Sequence, residues 1–259
     1  MKTIPFFQVD AFATGPFTGN PAAVMPLDRW LDDATLQKIA AENNLSETAF
    51  TVPSDKPDAD YDLRWFTPTV EVVLCGHASL ASGHILIHGA NAVRFSCLSG
   101  ILTVTRAGDL LELDVPAFAT EPDEVPGLLE ALGVSGETYV GHGNDSAIVV
   151  LPDEAAVRAV RPDFARLAAI DHLVSVTAPG DEHDVASRVF AASYGIPEDP
   201  VTGAAHAALV PLWAKKLGRE RFTALQASPR TGLLHCRLDG DRVVLGGHCV
   251  TVIEGHFQL

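Results

Sequence analysis

Cysteine is scarce in this chain of 259 residues: only Cys75, Cys97, Cys236 and Cys249 occur, and no two form a C-x-x-C pair. A secreted disulfide scaffold would be shorter and denser in cysteine, so a reduced, cytoplasmic protein is expected. Basic side chains are also few, 18 Lys and Arg against 33 Asp and Glu, a formal net charge of −15. That balance repels phosphate backbones and anionic lipid surfaces, so neither nucleic acid nor a membrane is an expected partner. Long apolar runs are missing. The richest stretch, residues 74–90, is interrupted by Gly76, His77, Gly83, His84 and His88, and it falls short of the roughly 18 unbroken apolar residues of a spanning helix. Near the N-terminus, one lysine and an apolar stretch cut by Gln8 and Asp10 do not make a signal peptide.

Several catalytic signatures are absent as well. There is no G-x-S-x-G elbow, no G-x-x-x-x-G-K-[ST] phosphate loop and no H-E-x-x-H. Gly141-His142-Gly143 lacks the third glycine and the helix of a dinucleotide fingerprint. In His235-Cys236 and His248-Cys249, adjacent strand residues point to opposite faces, so each pair offers one ligand per face and no metal is expected. What the chain does have is 47% hydrophobic and 20% charged residues, ample for packed cores.

It also repeats itself. Strand-like Phe6–Phe12 and Ala22–Met25 precede a helical stretch, Leu31 to Asn43; Ala147–Leu151 precedes another, Asp153 to Ile170. Short strands follow at Ala49–Val52 and His172–Val176. Arg64-Trp65-Phe66 and Arg188-Val189-Phe190 then stand 124 residues apart. Small-residue helices opening at Gly76 and Gly203 are 127 apart, and hairpins opening at Gly100 and Gly232 are 132 apart. Slowly growing offsets are what a duplication with small insertions gives. The expected halves are 1–118 and 119–259, with the last strand free to cross back to the first. Periodicity lapses between Pro116 and Pro126. Two equivalent halves would place their glycine-started helices across a shared cleft.

Three sets of residues could do chemistry there. Helix N-termini at Gly76 and Gly203 offer unpaired N–H groups to a carboxylate or phosphate, and glycine allows close approach. Cys75 and His77 flank the first start; each could equally be a buried structural residue. Asp199 precedes the second start, and Pro200 pushes it out of helical geometry, toward a cleft or simply into a turn. Glu47 lies between a helix end and a buried strand, where it is either a partly desolvated proton carrier or a solvated turn residue.

Taken together, Asp10, Gly19-Asn20-Pro21-Ala22-Ala23-Val24, Asn44-Leu45-Ser46-Glu47-Thr48, Phe66-Thr67-Pro68, Cys75-Gly76-His77-Ala78-Ser79 and Glu198-Asp199-Pro200-Val201-Thr202-Gly203 resemble the PhzF-like phenazine-biosynthesis family. The resemblance implies an α+β fold of the diaminopimelate epimerase type, two pseudo-symmetric domains that each wrap a curved sheet or barrel around a central helix. It implies a cofactor-independent isomerase acting on a small carboxylate-bearing molecule, and a homodimer. Glu47 takes the role of proton shuttle, with His77 and Asp199 positioning the substrate and setting the charge state of Glu47. Asn20, Gly76, Gly203, Ala204 and Cys75 fall at substrate-contacting positions. Ala204 departs from the family pattern, which has a serine there, so the phenazine intermediate is not the implied substrate. Two alternatives stand beside this: a two-base racemase pairing Cys75 with Glu47, and a ligand-binding protein that has lost catalysis on the same fold.

Overall fold

The computed structural model describes residues 3–259, which divide into one unit up to Asp114 joined by Gly246–Leu259 and a second unit, Val115–Leu245. The first runs β1 (Thr3–Ala11), β2 (Asn20–Pro26), α1 (Asp33–Asn43), β3 (Glu47–Pro53), β4 (Tyr61–Phe66), β5 (Glu71–Val72), α2 (Gly76–Leu86), β6 (Ala92–Cys97), β7 (Gly100–Ala107) and β8 (Leu110–Pro116). Strand β2 pairs antiparallel to β1 and parallel to β3; β4 is antiparallel to β3 and parallel to β6; β7 pairs antiparallel with both β6 and β8.

Helix α2 is buried on every side, from Gly76 through Gly83. A helix that is small and apolar all round belongs inside its domain, and α2 packs against β1, β2, β3, β6 and β7. Its two hydroxyls are satisfied within the helix, Ser79 donating to the Cys75 carbonyl and Ser82 to that of Ala78. Helix α1 is the amphipathic layer of this unit. It buries Leu36, Ile39 and Ala40 against Ile4, Met25, Phe50 and Phe66.

The second unit runs β9 (Thr120–Pro122), α3 (Leu128–Leu132), β10 (Glu137–Gly141), β11 (Ser146–Val150), α4 (Glu154–Ala159), α5 (Phe164–Leu167), β12 (Leu173–Pro179), β13 (Val185–Ala191), β14 (Ile196–Asp199), α6 (Gly203–Leu217), β15 (Arg221–Gln226), β16 (Gly232–Asp239) and β17 (Arg242–Gly247). Its pairing repeats the first unit: β10 antiparallel to β11, β11 parallel to β12, β12 antiparallel to β13, β13 parallel to β15, β15 antiparallel to β16. Buried α6 stands where α2 stands in the first unit. The last strand, β18 (Cys249–Gln258), lies antiparallel to β1, with a bulge between Gln8 and Val9.

One side-chain motif marks the repeat at atomic scale. Arg64 forks onto Glu71 through two bonds of 2.7 Å and lies over the Phe66 ring at 5.1 Å. Arg188 forks onto Glu198 at 2.7 and 2.8 Å and lies over Phe190, also at 5.1 Å. A planar guanidinium suits both a carboxylate fork and an aromatic face.

The helical stretch expected from Asp153 to Ile170 is instead two short helices. Pro162 lacks an N–H and disfavours helical geometry at Arg161, so the first helix stops. Asp163 then starts the second, accepting from the N–H groups of Ala165 and Arg166. No helix among the described residues is long and apolar enough to cross a membrane.

Candidate active site

Apart from short α3, which starts at Gly127 without a side-chain cap, the helix starts fall into two kinds. Helices α1, α4 and α5 are capped by aspartate side chains, Asp32, Asp153 and Asp163, which take first-turn N–H groups. The two buried helices are not. Cys75 at the start of α2 and Thr202 at the start of α6 make no side-chain cap bond. No N-cap side chain takes the first-turn N–H groups of either helix.

Five expected site residues, Asn20, Glu47, Cys75, Gly76 and His77, converge at the start of α2. Helix α1 ends at Asn44 in the left-handed region, with φ 48°. That turn delivers Ser46 and Glu47, the latter as the first residue of β3, opposite Ala22 of β2. The Glu47 side chain keeps 13% exposure, and its Oε2 lies 3.1 Å from Nε2 of His77. Neither atom has an aligned hydrogen-bond partner, although both are buried. On the other edge of the ring, His77 Nδ1 is 3.2 Å from Nδ2 of Asn20 and 3.6 Å from Sγ of Cys75. Asn20 Oδ1 accepts from the Ser46 hydroxyl at 3.3 Å. Gly76 opens the helix between Cys75 and His77.

Burial by itself pulls the His77 ring toward its neutral form. Cys75 and Glu47 on its two edges more than offset this, so the ring holds its proton well above the ordinary histidine range. For Cys75, burial first and then the Glu47 carboxylate push the thiol up. Burial and the nearby carboxylate thus favour the thiol over the thiolate at Cys75. The thiol, a ring nitrogen and a carboxylate oxygen all lie within 4.8 Å of one another. That set has the chemistry of a zinc site. Yet Glu47 faces Nε2 and Cys75 faces Nδ1, so the two groups flank opposite edges of the ring instead of converging on one nitrogen. The arrangement suits proton transfer.

Asp199, Gly203 and Ala204 belong to the second unit. Asp199, 8% exposed at the end of β14, accepts a 2.5 Å bond from the Thr202 hydroxyl. Gln226 of β15 clamps this turn, donating to the Asp199 carbonyl at 2.7 Å and accepting from the Thr202 N–H at 2.8 Å. Ala204 presents only its backbone carbonyl, which accepts from Asn144 at 3.1 Å. His206 donates from Nδ1 to the Thr202 carbonyl at 2.9 Å. Burial lowers its pKa to about 4, against the pull of that bond, so the ring is neutral.

Sequence reasoning gave no role to Gln226, Asn144 or His206. Nothing in the local sequence singles out Gln226, which acts across 27 residues of separation. Asn144 was within reach, because it stands 124 residues after Asn20, the same offset as the two arginines.

Known proteins resemble this chain in sequence and in fold. A family profile described as phenazine biosynthesis-like protein matches residues 9–255. An uncharacterized isomerase of Pseudomonas aeruginosa is 50% identical, with 99% of each chain covered. The human phenazine biosynthesis-like domain-containing protein is 37% identical, covering 97% of this chain and 98% of its own. A crystal structure of a PhzF-family protein from Enterococcus faecalis superposes with a TM-score of 0.93 at 42% identity, over the whole of both chains. A hydroxyproline epimerase from Agrobacterium vitis shares the fold alone, with a TM-score of 0.62 at 11% identity, covering 98% of this chain and 92% of its own. The α+β, diaminopimelate epimerase-like class expected from the sequence is the observed one. By its motifs, its fold and these relatives, the chain belongs to the PhzF-like, phenazine biosynthesis-like family of isomerases.

Proposed function

We propose that this protein is a cofactor-independent isomerase that moves a proton on a small carboxylate-bearing substrate, with Glu47 as acid and base. One observation carries the reading: a buried carboxylate meets a buried imidazole at 3.1 Å, and neither atom is spent on an aligned hydrogen bond. Buried polar atoms are almost always paired, so such a pair is best explained by a third group that completes it. In the forward step a substrate C–H bond breaks and its proton passes to Glu47. The electron pair stays on carbon, delocalised into an adjacent carbonyl or conjugated system. Glu47 then returns the proton to a second carbon or to the other face. His77 steadies the carboxylate while it is charged. No oxidant or reductant enters.

Gly76, at the uncapped start of α2, is proposed to give its backbone N–H to the substrate carboxylate. For the second unit, the family motif supports Asp199 as a positioning carboxylate and Gly203 and Ala204 as substrate contacts. The test is deuterium wash-in from D2O, read by NMR over a panel of small amino, imino and unsaturated carboxylic acids. Glu47→Gln is expected to cut exchange by about 10²–10⁴-fold, the usual worth of a positioned acid/base. Exchange at the wild-type rate in that variant would overturn the role.

A second reading is favoured by the thiol. Cys75 is held protonated beside Glu47, so it could donate a proton to one face of a carbon while Glu47 removes one from the other. Loss of optical activity together with deuterium uptake at an α-carbon, abolished in Cys75→Ala, would select this two-base course. Unchanged racemisation in Cys75→Ala would remove it.

A further inference from the structure

Asn20 is the first residue of β2 and is fully buried. The loop before it is sterically fixed. Gly19 sits at φ +74°, and a Cβ there would lie 2.4 Å from the Ala11 carbonyl oxygen. The carboxamide spans two partners, with Nδ2 3.2 Å from Nδ1 of His77 and Oδ1 accepting from Ser46 at 3.3 Å. In the second unit the equivalent Asn144 donates to the backbone carbonyl of Ala204, the residue that stands 127 positions after His77. The contact between carboxamide and ring therefore belongs to the half that carries Glu47.

A carboxamide has one donor end and one acceptor end, while a hydroxyl can donate or accept. When His77 is neutral with its proton on Nε2, Nδ1 is bare and takes a bond from Asn20 Nδ2. When the ring gains its second proton, Nδ1–H needs an acceptor. Turning the carboxamide over presents Oδ1 to the ring, and Nδ2 then donates to the Ser46 oxygen. In either state His77 Nδ1 and the Ser46 hydroxyl keep a partner in the carboxamide. The alternative partner at this edge is the Cys75 sulfur at 3.6 Å, a weak acceptor. Among the described residues, the titratable groups that reach the ring are Glu47, from β3, and Cys75, from the start of α2.

We propose that Asn20, backed by Ser46, is a positioning residue that pairs His77 Nδ1 in both protonation states, letting the ring gain or lose a proton without stranding a buried polar atom. The role rests on the proposed function, in which Glu47 moves the proton and His77 steadies it. It predicts an asymmetry. An apolar side chain at position 20 strands a charged N–H in the imidazolium but only a bare nitrogen in the neutral ring, and stranding the charged group costs more.

The test uses protein labelled with ¹⁵N-histidine, with the His77 ring signals assigned by loss in His77→Gln and followed across pH without any substrate. Ring ¹⁵N shifts separate the two tautomers from the imidazolium. Asn20→Leu is expected to deprotonate at lower pH than the wild type, and Ser46→Ala to move the same way by less. Asn20→Asp, isosteric and able to accept from Nδ1–H, should hold its proton at least as high as the wild type. Should Asn20→Leu not fold, Ser46→Ala and Asn20→Asp decide the order. Deprotonation at wild-type pH in both Asn20→Leu and Ser46→Ala, or a lowered midpoint in Asn20→Asp, would overturn the assignment. Failure of the Glu47 reading shows separately, as undiminished deuterium exchange in Glu47→Gln.

Discussion

His206 is a base kept out of water. Its pKa of about 4 lies below the ordinary 6.5 because the folded protein buries the ring without a countercharge. Between those two values the unfolded chain binds a proton that the folded chain does not. Stability is therefore fully present above pH 6.5 and falls as pH drops toward about 4. Over that window the difference is worth about 3 kcal/mol. Urea unfolding at steps through the window should show a shallower decline in His206→Gln than in the wild type. Equal slopes would mean that the folded protein protonates His206 as freely as the unfolded chain does. Glu47 is the contrasting residue. Its own neighbours, Ser46 and Thr48, describe a turn glutamate, and its partner His77 comes from another element 30 positions on. Only the motif set as a whole connected the two in the sequence. Cys75 was legible as a helix start, whereas its protonated state comes from burial, which no local pattern records.

Elements were readable where local chemistry dictates them. Asp32, Asp153 and Asp163 stand where caps belong, and helices begin there. The single helix expected over 153–170 failed because its apolar pattern continues across Pro162, which the backbone cannot do. Helix α2 has a constraint invisible in its own sequence. A Cβ at Gly83 would lie 2.5 Å from Cγ1 and 2.7 Å from Cβ of Val104. Val104 is fully buried on β7 and β-branched, so it cannot turn aside cheaply. Alanine in place of glycine gains about 1 kcal/mol of helix propensity. Overpacking typically costs about 1–3 kcal/mol, so it should win. Gly83→Ala is expected to lower the urea midpoint, and the Gly83→Ala, Val104→Ala pair to be less destabilised than the two single effects summed. A raised midpoint in Gly83→Ala would show that α2 has room against β7.

At the scale of the whole molecule, the duplication is the feature the sequence displayed best. Arg64 and Arg188 stand 124 residues apart, as do the rings they cover, while their carboxylate partners Glu71 and Glu198 stand 127 apart. The return of β18 to β1 was harder to read, since strand pairing across 238 to 255 residues leaves no local mark. The net charge of −15 disfavours phosphate-rich partners. Helices α2 and α6 both start without a side-chain cap, and the contact of Glu47 with His77 lies at α2. The most direct test of that assignment is deuterium wash-in on the full chain, wild type against Glu47→Gln, with His77→Gln alongside. Wild-type protein should label at least one carboxylic acid of the panel at carbon, Glu47→Gln should be slower by about 10²-fold or more, and His77→Gln should fall between them. Carbon exchange that persists at the wild-type rate in Glu47→Gln would contradict the account.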